Sequence, residues 1–177
     1  MFLKSDDIYL RALSIDDVNQ EYLSWLNNND VTSGLVSGTF PSTMQELHNY
    51  VASKIADKNT VIFAICDINS NKHIGNIKID NFDWISRTCE LGILIGNKDF
   101  WGKGIGYASC ELVCNYAFSA LNIRKILLAV YSSNIAAIKV YEKLNFQLEG
   151  TLRNQVYLNG SFVDKHYMAL FNTSMAK

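Results

Sequence analysis

The sequence is short of most features that would mark a special class. It has a single proline, Pro41, and no repeat, low-complexity tract or linker, so nothing divides the 177 residues into separate units. A formal net charge of −1 lacks the basic excess that binding nucleic acid, or any long polyanion, calls for. No apolar run approaches the length of a membrane span. The opening residues, Met1-Phe2-Leu3-Lys4-Ser5-Asp6-Asp7, lack the basic region and apolar core of a secretion signal. The expectation is a cytoplasmic protein with no membrane partner. Cys66, Cys89, Cys110 and Cys114 all sit inside apolar segments and form no C-x-x-C pair, which points to buried reduced thiols rather than disulfides or a zinc site. No metal is expected. His48, His73 and His166 are scattered without a serine or cysteine partner pattern, so no histidine-activated nucleophile is read.

What is present is 49% hydrophobic and 19% charged residues, the balance of one globular domain over 1–177, large enough to bury most of its apolar surface. The chain is organised around Cys89 to Ala120. The run Cys89-Glu90-Leu91-Gly92-Ile93-Leu94-Ile95-Gly96 is an almost continuous apolar strand interrupted by one carboxylate, Glu90. Three glycines at alternate positions follow in Trp101-Gly102-Lys103-Gly104-Ile105-Gly106-Tyr107, where backbone N–H groups come close to a ligand with no Cβ atoms in the way. Cys110, Cys114, Ala117, Phe118 and Leu121 then repeat at helical spacing, so the loop feeds a helix N-terminus. Unpaired N–H groups, the positive dipole end and Lys103 collect there, a ready site for phosphate. Spacing argues against the common nucleotide loops: Tyr107 stands where a Rossmann fingerprint needs its third glycine, and no Lys-Ser or Lys-Thr pair completes a P-loop. An ordinary strand-to-helix turn is the plain alternative.

In order, the chain predicts a strand at Ile8 to Leu13, and a helix opened by Ser14 and Asp17 as a capping box and running to about Leu26. Gly34, Gly38 and Pro41 mark a mobile connection. A second capping box, Thr43 with Glu46, starts another helix. Thr60 to Cys66 and His73 to Asp80 read as a hairpin, followed by the Cys89 strand and its helix. Lys125 to Tyr131 reads as a buried strand, parallel to the Cys89 strand because a helix connects them. Ser133-Asn134 caps a helix from Ile135 to Leu144, and Asn159-Gly160 between apolar residues signals a final hairpin. The fold class is therefore α/β (α+β), with a mixed sheet of about seven strands and about four helices.

The glycine segment resembles motif A of the GNAT N-acetyltransferase superfamily, whose pattern is Gln or Arg, two residues, Gly, one residue, then Gly or Ala. Trp101 departs from the first position and removes one polar contact. The stretch from Tyr131 through Asn134 and Tyr141 to Asn145-Phe146 resembles the second motif, with Asn145 where glycine is usual; asparagine also tolerates left-handed backbone. Glu149 to Arg153 and Asn159-Gly160 to Asp164 look like the Rim-type branch that acetylates ribosomal-protein N-termini. Resemblance covers nearly the whole chain and implies a mostly antiparallel sheet with a splayed parallel pair.

The implied activity is acetyl-CoA-dependent N-acetylation of a primary amine by direct attack in a ternary complex, with acetyl-CoA as co-substrate. The implied coenzyme contacts are Ile93, Leu94, Ile95, Trp101, Gly102, Lys103, Gly104, Ile105, Gly106, Tyr107, Asn134, Ala137 and Tyr141, with the oxyanion donor a backbone N–H near Ile93 or Leu94. Such transfer needs a base, an oxyanion donor and an acid for the departing thiolate. Glu90 is the candidate base, directly or through water, on a strand face shared with Gly92 and Leu94 and read as buried; a solvent-facing residue is the alternative. Tyr141 lies two helical turns after Asn134, on the same side, and is the candidate acid; a core-packing aromatic is the alternative. For the acceptor, Tyr22 to Val31 and His73 to Lys78 look like relatives that acetylate amino sugars for surface polysaccharides. Trp25, Phe82 and Trp84 would stack, Asn27 would bind hydroxyls and Glu90 would meet the amine, though Trp25 also reads as a core anchor. The expected acceptor is a nucleotide-linked amino sugar, with a protein N-terminus second; a coenzyme A-binding module without catalysis is the rival of another class. A homodimer is allowed, though the sequence does not fix oligomeric state.

Overall fold

The computed structural model describes residues 1–35 and 38–173. One sheet of eight strands runs through it: β1 (Leu3–Lys4), β2 (Ile8–Ala12), β3 (Val61–Asp67), β4 (His73–Asp83), β5 (Thr88–Ile95), β6 (Lys125–Tyr131), β7 (Gln147–Leu158) and β8 (Ser161–Phe171). Their spatial order is β1-β2-β3-β4-β5-β6-β8-β7. Five helices accompany it: α1 (Gln20–Leu26), α2 (Asn29–Thr32), α3 (Met44–Ala56), α4 (Ile105–Ser119) and α5 (Ile135–Lys143). The expected mixed, mostly antiparallel sheet is present. The sequence reading lacks β1 and α2, which at two and four residues are too short to show periodicity.

Alternation along the central strands sends side chains to two cores. On one face Ile77, Ile79, Cys89 and Leu91 pack against Cys110, Val113 and Ala117 of α4 and Tyr141 of α5. On the other Ile62, Ala64 and Cys66 pack against Tyr22 and Trp25 of α1 and Leu47 and Val51 of α3. Ile77 and Ile79 are fully buried, each worth about 2 kcal/mol of removed apolar surface. All four cysteines are buried free thiols, and burial pushes the Cys110 thiol up to about 12, so none is a ready nucleophile. No helix among the described residues is long and apolar enough to cross a membrane.

The helix expected from Ser14 to Leu26 is instead interrupted. Ser14 does form a capping box, but over a short 3-10 turn, Ile15–Asp17, after which Val18 is extended and Asn19 caps α1 by accepting from the Tyr22 N–H. Asp17 explains the break. Its buried carboxylate accepts two bonds from the Arg11 guanidinium, at 2.8 and 2.5 Å, and one from the Ser14 N–H at 2.8 Å, which pins the turn to β2 before a helix propagates. The other expected turns form. Asn159 and Gly160, at φ 50° and 86°, join β7 to β8, and Asn145, at φ 67°, ends α5 in left-handed backbone.

β5 pairs with β6 in parallel, but only from Thr88 to Glu90 against Lys125 to Leu127. Beyond Glu90, β5 keeps only β4 as neighbour, with Leu91 opposite Ile79 and Ile95 opposite Gly75, while β6 continues beside β8. The two strands part, leaving one edge of Leu91 to Ile95 without a strand partner. Just past this free half, Gly96 receives the Trp25 indole: a Cβ on Gly96 would lie inside the ring. Trp25 in turn packs edge-on against His73 at 5.1 Å and beside Tyr22 at 5.3 Å. Gly96→Ala is expected to lower stability by about 1–3 kcal/mol through overpacking against Trp25. A chemical denaturation curve checks this, and an unchanged midpoint would show that Trp25 is not seated on the glycine.

Candidate active site

The site is built on the free half of β5. Ile95 presents its carbonyl away from β4, since it accepts at 2.9 Å from the Trp101 indole N–H. Backbone groups alternate sides along a strand, so the Ile93 N–H and carbonyl point the same way, into the opening between β5 and β6. An N–H there is placed to serve a developing oxyanion. Ile93 and Ile95 pack their side chains toward the α4 core, whereas Leu94 packs against the α1–α3 core.

The glycine-rich turn stands at the mouth of this opening. Gly102 and Gly104 have φ values of 73° and 79°, left-handed backbone that a side chain would strain, and Gly104 occupies the N-cap of α4. A Cβ at Gly102, Gly104 or Gly106 would meet open space, so the turn leaves backbone exposed for a ligand to approach. Ile105 is buried and anchors the turn in the α4 core. Lys103 lies over the Phe100 ring at 5.4 Å. Tyr107 carries Lys143 over its ring at 4.5 Å, and its hydroxyl donates to Glu111 at 2.8 Å. Lys103 and Lys143 thus bring two cations to the helix N-terminus, which suits a pyrophosphate. Trp101 is exposed and bonded to Ile95, which ties the turn to β5.

α5 supplies the other wall. Asn134 caps it by accepting from the Ala137 N–H at 3.1 Å. Two helical turns on, Tyr141 is buried beside Phe146. Burial, with the nearby Cys110 and Cys114, raises the Tyr141 phenol well above its ordinary range. It holds its proton at neutral pH and suits a donor rather than a base.

On the opposite face of the sheet a cavity of about 360 Å³ lies between the α1–α3 layer and β4–β5. Its floor includes Asn76 and Lys78 of β4 and Gly92, Ile93 and Leu94 of β5; its roof includes Tyr22, Leu47 and Tyr50. Register explains the floor: Ile62, Lys78 and Gly92 form one cross-strand row and Ala64, Asn76 and Leu94 the next. Gly92 adds no side chain, and the Lys78 stem lies across it, its Cε 3.1 Å from where a Cβ would stand.

Several expected site residues stand elsewhere. Glu90, expected on a buried face with Gly92 and Leu94, is exposed and accepts from the Asn81 side chain at 3.1 Å. The buried alternation falls on Cys89 and Leu91, because the odd positions meet α4 and the even ones face the cavity side. Trp25 is a core anchor with 5% exposure, its ring covered by Gly96, His73 and Tyr22. Asn27 clamps the connection between α1 and α3, donating to the Ser42 carbonyl at 2.9 Å and accepting from the Ser42 N–H at 2.8 Å, so its amide is already used. Phe82 and Trp84 stack on each other at 4.7 Å, at the end of β4 away from the cavity floor. Six residues separate Trp84 from Lys78, about 20 Å of extended chain. None of these five lines the cavity. Asn76, Lys78 and Gly92 are the floor residues that sequence reasoning missed. Their signal was polar side chains at alternate positions of β4, a strand otherwise buried on both faces.

Comparison with known proteins agrees with this geometry. The sequence model of the acetyltransferase (GNAT) domain family matches residues 7–147. Spermidine N(1)-acetyltransferase of Escherichia coli (strain K12) is 27% identical over 165 residues, covering 93% of this chain and 86% of that protein. A putative ribosomal N-acetyltransferase, YdaF of Bacillus subtilis (strain 168), is 34% identical over 96 residues, covering 54% of this chain and 52% of that one. Among solved structures, spermidine N-acetyltransferase from Vibrio cholerae, in complex with CoA and spermine, superposes with a TM-score of 0.84 at 27% identity, covering 94% of this chain and 96% of that one. Gly106→Val is expected to weaken coenzyme A binding at least about tenfold while leaving the unfolding midpoint in place, because the position is open and its φ is ordinary. Titration calorimetry reads the affinity; unchanged binding would remove the glycine turn from the coenzyme site.

Proposed function

The chain belongs to the GNAT acetyltransferase family and is an acetyl-CoA-dependent N-acetyltransferase, and from that premise we propose that residues 1–177 act as one domain that acetylates the primary amine of a small molecule seated in the cavity over β4 and β5. One observation carries the reading. The Ile93–Leu94 segment lines the cavity and also forms the free edge of the β5–β6 opening, so a group entering from the glycine turn meets an amine on the other face of the sheet there.

Acetyl-CoA supplies the thioester to be attacked. Backbone amides of the glycine turn and the α4 N-terminus, with Lys103 and Lys143, hold the phosphates, and Ile93, Leu94, Ile95, Asn134 and Ala137 border the arm. The Ile93 N–H stabilises the oxyanion. Tyr141, keeping its proton, gives it to the departing sulfur. Glu90 lies two residues from Gly92, about 7 Å along the strand, so it receives the amine proton through an intervening water.

A nucleotide-linked amino sugar was the acceptor expected from sequence, and its stacking face was to be Trp25, Phe82 and Trp84. With those rings away from the cavity, nothing in its lining favours a sugar. The similarity to spermidine N-acetyltransferases supports a small-molecule amine in a general way. Tyr141→Phe and Glu90→Gln are expected to lower kcat by about 10² to 10⁴, the usual range for general acid and base groups, with little change in coenzyme A affinity. Steady-state release of free thiol measures it. For Glu90→Gln the deficit should widen as pH falls and more of the amine is protonated, and a change confined to KM would make Glu90 a binding residue.

A further inference from the structure

The cavity also constrains what the acceptor can be, an inference that rests on the proposed transferase reading. Most of its surface is apolar, contributed by side chains such as Leu26, Leu35, Leu47, Tyr50, Ile62 and Leu94. Among the described residues that line it, Glu46 is the one carboxylate. Its Oε2 accepts from both the Thr43 N–H and the Thr43 hydroxyl at 2.8 Å, closing the capping box of α3 and using one of its two oxygens. These bonds hold its pKa below the usual range, so it stays ionised at the exposed rim of the cavity. The floor contributes a cation, Lys78, paired with Asp80, and Asp80 is shared with Lys54 at 3.1 Å. An acceptor with several ammonium groups would therefore find one carboxylate, at the rim, and its remaining charge would lose water against apolar walls and approach Lys78.

One polar group in the lining is unspent. Asn76 is 6% exposed, and its side-chain oxygen faces the His73 Nε2 at 2.9 Å, so its position is fixed. Its Nδ2 is buried with no hydrogen-bond partner. An orphaned buried donor is costly, and a ligand oxygen is what relieves it. Asn76 pairs across the ladder with Leu94, so an oxygen at Asn76 lies one strand spacing, about 4.8 Å, from the edge where the amine must react.

We propose that the acceptor is a primary amine carrying a single positive charge on an apolar body, with a hydrogen-bond-accepting oxygen close to the amine that Asn76 recognises, and that polyamines are poor acceptors. Three probes separate the elements of this class. Leucinamide has the apolar body and the oxygen, isoamylamine has the body alone, and spermidine has extra charge. Thiol release from acetyl-CoA, with kcat/KM expressed per unprotonated amine so that the lower basicity of leucinamide does not count, should put leucinamide at least about tenfold above isoamylamine, with spermidine below both. Asn76→Leu should bring the ratio of leucinamide to isoamylamine down toward one, with coenzyme A affinity nearly unchanged. Lys78→Met should raise spermidine relative to isoamylamine. Spermidine as the best acceptor of the unaltered enzyme, or equal rates with leucinamide and isoamylamine, would overturn the assignment while the transferase reading stands. No thiol release with any amine, with coenzyme A still bound by calorimetry, would instead bring down the transferase reading and this acceptor class with it.

Discussion

The parting of β5 from β6 after Glu90 is the constraint on which the site depends. A parallel pair in the middle of a sheet normally satisfies both backbone edges of each strand, and here β5 gives up one edge for its last five residues, from Leu91 to Ile95. The strand stays in place because its other edge remains paired to β4 and its side chains are held by a core on each face. The free edge can then face a ligand without the strand fraying. The indole of Trp101 takes up the last carbonyl of that edge, so the opening ends where the glycine turn begins.

Both faces of the sheet contribute to one reaction site, and they do so differently. The α4–α5 face offers backbone: a left-handed glycine turn, a helix N-terminus and a capped second helix. Such groups recognise phosphate and amide-like atoms whatever side chains surround them. The α1–α3 face offers side chains, and the acceptor proposed above would be selected there.

Much of the architecture was legible from periodicity and punctuation. The glycine turn, the Asn134 cap, the left-handed Asn145 and the Asn159-Gly160 hairpin all rest on local backbone preferences, and local preferences can be read from a single sequence. The interruption before α1 was not legible, because it depends on Arg11 reaching across to Asp17, a contact made by the fold. The placing of the expected acceptor residues was not legible for the same reason. Trp25 and Asn27 lie on the correct helix, yet the glycine at 96 draws the indole into the core and the Ser42 backbone takes the amide. Trp84 carries an exposed ring in a polar loop, which suggested a binding role, but the length of β4 puts that loop at the wrong end of the strand. Asn76 and Lys78 become visible only when the β4–β5 register sets them beside Leu94 and Gly92.

The bond from Lys54 to Asp80 has a consequence of another kind. Lys54 belongs to α3, the roof of the cavity, and Asp80 to β4, its floor, and the same carboxylate holds Lys78 from the floor side. Raising α3 from β4 therefore costs the Lys54 bond and leaves the buried acid to Lys78 alone. The bond works against a rise of the roof, so depth is the dimension of the cavity that is held, and an acceptor of the kind proposed would be sorted by its thickness sooner than by its length.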